Sequence, residues 1–95
     1  MYIIVVGAGE VGSYVAERLS GQEHDIALIE VDPARFREID KDLDVLAVRG
    51  SGTDPGCLKQ AGLDKADLLV AVTANDEANL LSALLARQAG VKKTI

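Results

Sequence analysis

The chain has 95 residues, room for one domain, and 48% of them are apolar, enough to bury a packed core. Fifteen acidic against ten basic residues leave a net charge of −5 with no basic run, which excludes nucleic acid and anionic membrane surfaces as electrostatic partners. A single cysteine, Cys57, excludes an internal disulfide and suits a reducing cytoplasm.

Tyr2–Val6 reads as a buried strand, apolar throughout and far below membrane-spanning length. It runs directly into Gly7-Ala8-Gly9-Glu10-Val11-Gly12, a G-x-G-x-x-G turn. A helix is predicted over Glu10–Ser20, because Val11, Val15 and Leu19 recur on one face and Gly21 follows as its stop. A second strand, Asp25–Glu30, ends on an acid 18 positions after Gly12. Strand, glycine turn, helix, strand and terminal acid at this spacing form the dinucleotide-binding fingerprint, far more specific than the glycine pattern alone.

Each part of that unit has a physical task. Gly7 permits the tight turn, Gly9 lets a pyrophosphate approach the main chain, and Gly12 lets the helix pack closely on the strand. The helix start aims unpaired N–H groups and a partial positive charge at the phosphates. Glu30 stands where a carboxylate can accept hydrogen bonds from ribose hydroxyls, and it would repel a 2′-phosphate, favouring NAD or an adenosine nucleotide over NADP.

The rest of the chain repeats the strand–helix rhythm. Asp32-Pro33 is a cap followed by proline at the first helical position, and Phe36, Ile39 and Leu43 give the next segment a helical apolar face. A third strand is read over Asp44–Val48. Asp54-Pro55 repeats the start signal for a short helix ending at Gly62, and Asp67–Val72 is a fourth strand. Thr73 with Asp76 reads as the cap of a last helix over Asp76–Ala89, closed by Gly90. Lys92–Ile95 is the lead-in to a fifth strand. Right-handed crossovers then give an α/β, Rossmann-like, doubly wound parallel sheet in the order 3-2-1-4-5, cut short at strand five. We therefore expect residues 1–95 to be a single domain and the N-terminal part of a longer protein. Leu80, Leu81, Leu84 and Leu85 make a wide band on the last helix, which either covers the sheet alone or also serves dimerisation.

Ligands in this architecture bind at the carboxyl ends of the strands. The Ser51-Gly52-Thr53 segment there would let a flat adenine lie against the main chain, with Thr53 and Asp54 also available as caps. Thr73 and Asn75 place hydroxyl and amide groups beside the glycine loop. Asp32 reads as a helix cap rather than a ligand contact. Catalytic groups are scarce: His24 is read as a solvated turn residue at the opposite end of the sheet, Cys57 as a packing residue, and Asp40, Asp42 and Asp44 as a solvated turn. No nucleophile–base pair or metal cluster is visible, so the reading is a non-enzyme. The alternative is the NAD-binding half of an oxidoreductase.

The combination resembles the TrkA-N, or RCK/KTN, domain, the nucleotide-binding regulatory domain of potassium channels and transporters. The resemblance rests on GAGEVG (Gly7–Gly12), IEVDP (Ile29–Pro33), RGSGTDPGCLKQAGLDKAD (Arg49–Asp67) and LLVAVTANDEANLLSALLAR (Leu68–Arg87), and is most specific from Asp64 to Asn79. It points in particular to the TrkA-type cytoplasmic subunit of Trk potassium uptake systems. The resemblance implies a crevice for NAD(H) or ATP/ADP and a homodimer or larger ring. It also implies a place at the inner face of the cell membrane, beneath a potassium transporter or channel subunit gated by the nucleotide. It implies that Gly7, Ala8, Gly9 and Gly12, with the amides of Glu10 and Val11, hold the phosphates, and that Glu30 holds the adenosine ribose. Ser51, Gly52 and Thr53 would flank adenine, and Thr73 and Asn75 would lie near the phosphates or second ribose. Two departures stand out: the family domain usually continues past strand five, and the commoner aspartate–alanine pair before Thr53 is missing.

Overall fold

A computed structural model describes all residues from Met1 to Ile95. The elements run β1 (Tyr2–Val6), α1 (Glu10–Ser20), β2 (Asp25–Glu30), α2 (Pro33–Asp42), β3 (Leu46–Arg49), α3 (Pro55–Gln60), a 3-10 turn (Leu63–Lys65), β4 (Leu68–Ala71), α4 (Asp76–Gln88) and β5 (Lys93–Thr94). The five strands form one parallel sheet in the order β3-β2-β1-β4-β5. This is the Rossmann-like order read from the sequence.

The apolar strands explain the layering. Successive side chains point to opposite faces, so a strand covered on both sides must be apolar at every position. Ile3, Val5, Ile26, Leu28 and Val70 join Ala16 of α1 and Ile39 of α2 in one core. Ile4, Val6, Ala27, Ile29, Val48, Leu69 and Ala71 join Leu58 of α3 and Ala86 of α4 in the other. Register places Ile4 between Ala27 and Leu69, so the centre of the sheet is fully enclosed.

Helix starts follow local chemistry. The Asp32 carboxylate accepts from Arg35 N at 3.0 Å and the Asp54 carboxylate from Gly56 N at 2.9 Å, each with proline inside the first turn. The start of α4 differs from the sequence reading: its cap is Asn75, whose Oδ1 accepts from Ala78 N at 2.9 Å, not Thr73. The leucine band is divided. Leu85 packs on the core, whereas Leu80, Leu81 and Leu84 remain 63%, 43% and 49% exposed. Thus the band covers the sheet and also leaves an apolar stripe outside. No helix is long and apolar enough to cross a membrane.

Candidate functional site

A cleft of about 660 Å³ opens at the carboxyl ends of β1 to β4. It lies where the strand order reverses, between the β1–α1 loop on one side and the β4–α4 loop on the other. This is the place where an open parallel sheet binds ligands.

The glycine loop forms its floor. Gly7 has φ +105°, a left-handed conformation that side chains strain to adopt, and an added Cβ would lie 3.0 Å from Val72 O and Thr73 N. At Gly12 an added Cβ would sit 1.8 Å from Gly7 O, so only glycine lets α1 meet the loop. At Gly9 an added Cβ would meet no main-chain atom and only the tip of the Arg35 side chain, Nη1 at 3.9 Å, an ordinary contact distance. Gly7 therefore serves the turn and Gly12 the packing that the fingerprint requires.

Main-chain donors of the loop divide into used and unused. Gly7 N donates to Ile29 O at 2.8 Å, Ala8 N to Glu30 Oε1 at 2.6 Å, and Ser13 N to Gly9 O at 3.0 Å. The N–H groups of Gly9, Glu10, Val11 and Gly12 have no acceptor in the chain. Unused donors at a helix start are suited to an anion, and those of Gly9, Glu10 and Val11 lie on the cleft wall.

Glu30 differs from the reading of a carboxylate turned to a ribose. It lines the cleft but is only 4% exposed, with Oε1 on Ala8 N and Oε2 on Asp32 N at 2.7 Å. The extra methylene of glutamate folds its head back onto the main chain, where it ties the glycine loop to the β2–α2 turn. Each oxygen keeps one lone pair for a further donor. Ala8, expected among the phosphate ligands, thereby has its amide occupied and lies outside the cleft wall, as does the packed Gly12.

The remaining walls are loops. Gly50, Ser51 and Gly52 line the cleft after β3. Thr53 does not: its N donates to Ser51 Oγ at 3.1 Å and the two hydroxyls lie 2.7 Å apart, a local turn that holds Thr53 off the wall. Thr73 and Asn75 line the opposite side together with Val72, Ala74 and Ala78. Thr73 is strapped by Asn79, which accepts from Thr73 N at 2.9 Å and from Thr73 Oγ1 at 2.6 Å and donates to Thr73 O at 3.0 Å. The Thr73 hydroxyl also accepts from Asn75 N at 3.1 Å, so it closes the turn before the helix and the cap passes to Asn75.

Three contributors escaped the sequence reading. Arg35, in the first turn of α2, lines the cleft. Its signal was a cation three residues past the Asp32 cap. Asn79 was visible only as one more polar residue after β4. Ser82, fully buried on α4, donates to Gly52 O at 2.8 Å. A lone serine in a leucine-rich helix was its only mark.

The charged residues on the cleft wall are Glu10, Glu30 and Arg35, with no histidine, cysteine or lysine among them. His24 lies at the other end of the sheet, in a hollow with Tyr2, Asp25 and Lys65. Instead of standing solvated, it is half-buried, and its Nδ1 is enclosed without a partner. Cys57 is half-buried against the α3 core. Across from His24, burial and the neighbouring Asp25 charge raise the Tyr2 hydroxyl pKa, and the hydroxyl donates to Ala61 O.

Comparison with known proteins agrees with this geometry. The profile of the TrkA-N domain matches residues 3–95. The Trk system potassium uptake protein TrkA homolog of Archaeoglobus fulgidus is 44% identical over 95 residues, all of this chain but 21% of that protein. The homolog of Methanothermobacter thermautotrophicus is 41% identical over 95 residues, again all of this chain and 44% of its own length. The chain thus spans less than half of these relatives, which are named for potassium uptake and not for catalysis. Among solved structures, the TrkA-N domain of the inner membrane protein ybaL from Escherichia coli superposes with a TM-score of 0.75 at 20% identity, over 99% of this chain and 85% of that one. The Shewanella denitrificans Kef CTD in AMP bound form gives 0.82 at 23% identity, over 100% of this chain and 56% of that one. Both show the shared fold.

Proposed function

Because this chain belongs to the TrkA-N domain family, we propose that its cleft binds an adenine nucleotide, NAD(H) or ATP/ADP, and that it is the sensing part of a cytoplasmic regulator of potassium transport. The observation that carries the reading is the floor of the cleft: the main-chain N–H groups of Gly9, Glu10 and Val11 at the start of α1 line it and have no acceptor in the chain. Such donors favour a phosphate, and the cleft volume suits a nucleotide-sized ligand. The fold relative with AMP bound supports the choice of an adenosine phosphate, since the AMP unit is common to NAD(H), ATP and ADP.

In this reading Gly7, Gly9, Glu10 and Val11 cradle the phosphates. Ser51 and Gly52 flank adenine, and Thr73 and Asn75 reach the far phosphate or second ribose. Glu30 meets the ribose with its two remaining lone pairs while bracing the loop. The domain works beside a membrane potassium transporter or channel subunit as a homodimer or larger ring. The exposed Leu80, Leu81 and Leu84 stripe serves as the contact between copies. Ligand binding then acts by differential affinity for two arrangements of that assembly.

Isothermal titration calorimetry tests the reading. Saturable binding of ADP or NADH at one site per chain is expected. Absence of binding for all of NAD, NADH, ADP and ATP would remove it.

A further inference from the structure

We infer that Arg35 is the phosphate-reading residue of this cleft, meeting the ligand's phosphates beside the glycine loop. The inference rests on the nucleotide reading above and names the charge contact that the fingerprint does not include.

Three observations converge on it. Arg35 is the only cationic residue on the cleft wall. Its Nη1 lies 3.9 Å from the point where a Cβ on Gly9 would stand, so the guanidinium sits beside the glycine loop. Its side chain makes no hydrogen bond or ion pair within the chain, although its own main-chain N is held by the Asp32 cap. Of the two acids on the same wall, Glu30 is turned to the amides of Ala8 and Asp32, and Glu10 makes no ion pair with Arg35. A guanidinium with five donors and no partner, beside unused main-chain amides, matches a tetrahedral oxyanion better than it matches a sugar or a base edge.

The geometry also sets the order of preference among ligands. The loop amides supply dipoles, which one phosphate satisfies. Arg35 supplies a full charge beside them, which rewards each further negative oxygen that reaches it. Adenosine, with no phosphate, gains nothing from Arg35. AMP gains part of the contact and ADP the whole. Because the side chain is exposed in a helix that its cap and Ile39 anchor, its removal leaves the fold intact.

The test titrates ADP, AMP and adenosine into the parent chain and into Arg35→Gln and Arg35→Lys. In Arg35→Gln the ADP dissociation constant is expected to rise about tenfold or more, that of AMP by less, and that of adenosine not at all. Arg35→Lys should fall between, since a point charge replaces the two-pronged fork. The ADP affinity of the parent should also decline more steeply with added salt than that of Arg35→Gln. Unchanged ADP binding in Arg35→Gln overturns the inference. So does an equal loss for adenosine and ADP, which would place the guanidinium on the base or sugar. If the parent binds none of the three, and none of NAD, NADH and ATP either, the nucleotide reading itself fails. Binding by the parent with no effect of Arg35→Gln leaves that reading intact and removes only Arg35. Far-ultraviolet circular dichroism of each variant confirms that the fold is kept.

Discussion

A carboxylate whose two oxygens each receive a main-chain N–H cannot become a carboxamide without loss. In Glu30→Gln one position would hold an NH2 group, which has no lone pair to offer Ala8 N–H or Asp32 N–H. A buried donor facing a donor costs roughly 1–3 kcal/mol. Glu30→Gln is therefore expected to lower the free energy of unfolding by that amount, read as a lower urea midpoint at an unchanged slope. A variant as stable as the parent would show that the brace contributes nothing to holding the loop. Any loss of nucleotide affinity in this variant reports loop position together with ribose contact, so the substitution cannot isolate the sugar. The position of Glu30 was legible in the sequence because acid and glycines keep a fixed spacing through the βαβ unit. Its orientation was not, because one methylene decides whether the carboxylate reaches outward or folds back onto Ala8 N. Arg35 was illegible for a related reason: on an amphipathic helix a cation is ordinarily a solvated residue, and only the fold brings this one beside Gly9.

At the level of elements, boundaries were readable where a local signal had no competitor. Asp32-Pro33 and Asp54-Pro55 start their helices where those pairs stand. Between β4 and α4, Thr73, Asn75 and Asp76 all have capping chemistry, and the cap falls to Asn75 because the Thr73 hydroxyl is taken by Asn75 N and by Asn79, six residues on. The third strand was read over Asp44–Val48 but runs over Leu46–Arg49, because pairing with Ala27–Glu30 sets its limits and Asp44 has no partner there. The 3-10 turn over Leu63–Lys65 was missed, since three residues give no periodicity to detect. The Asn79 strap predicts an effect that local helix chemistry would not. Asn79→Ala removes three hydrogen bonds to Thr73 while leaving the Asn75 cap of α4 in place. Exchange of the Thr73 amide hydrogen should accelerate at least tenfold, and ADP should bind more weakly, with helix content unchanged. Undisturbed protection at Thr73 would mean that the loop is held by its β4 and Gly7 neighbours alone.

For the whole molecule, α4 is the element that joins cleft to surface. On one face Asn79 holds the Thr73 loop and Ser82 holds Gly52, so both walls of the cleft are tied to the same rigid helix. Its other face carries the exposed Leu80, Leu81 and Leu84. A shift of α4 by a ligand would therefore move the stripe proposed to join two copies. Thermodynamic linkage makes the coupling reciprocal: the factor by which ADP changes dimer affinity equals the factor by which dimerisation changes ADP affinity. Sedimentation equilibrium is expected to give a dimer whose dissociation constant changes at saturating ADP, by roughly 5-fold or more if the coupling reaches 1 kcal/mol. The double variant Leu81→Glu and Leu84→Glu, placing like charges on both sides of the contact, should sediment as a monomer at every concentration. It should bind ADP with the affinity that dilution of the parent reveals. Equal dimer constants with and without ADP would separate cleft from stripe, and a double variant that still dimerises would put the contact on another face.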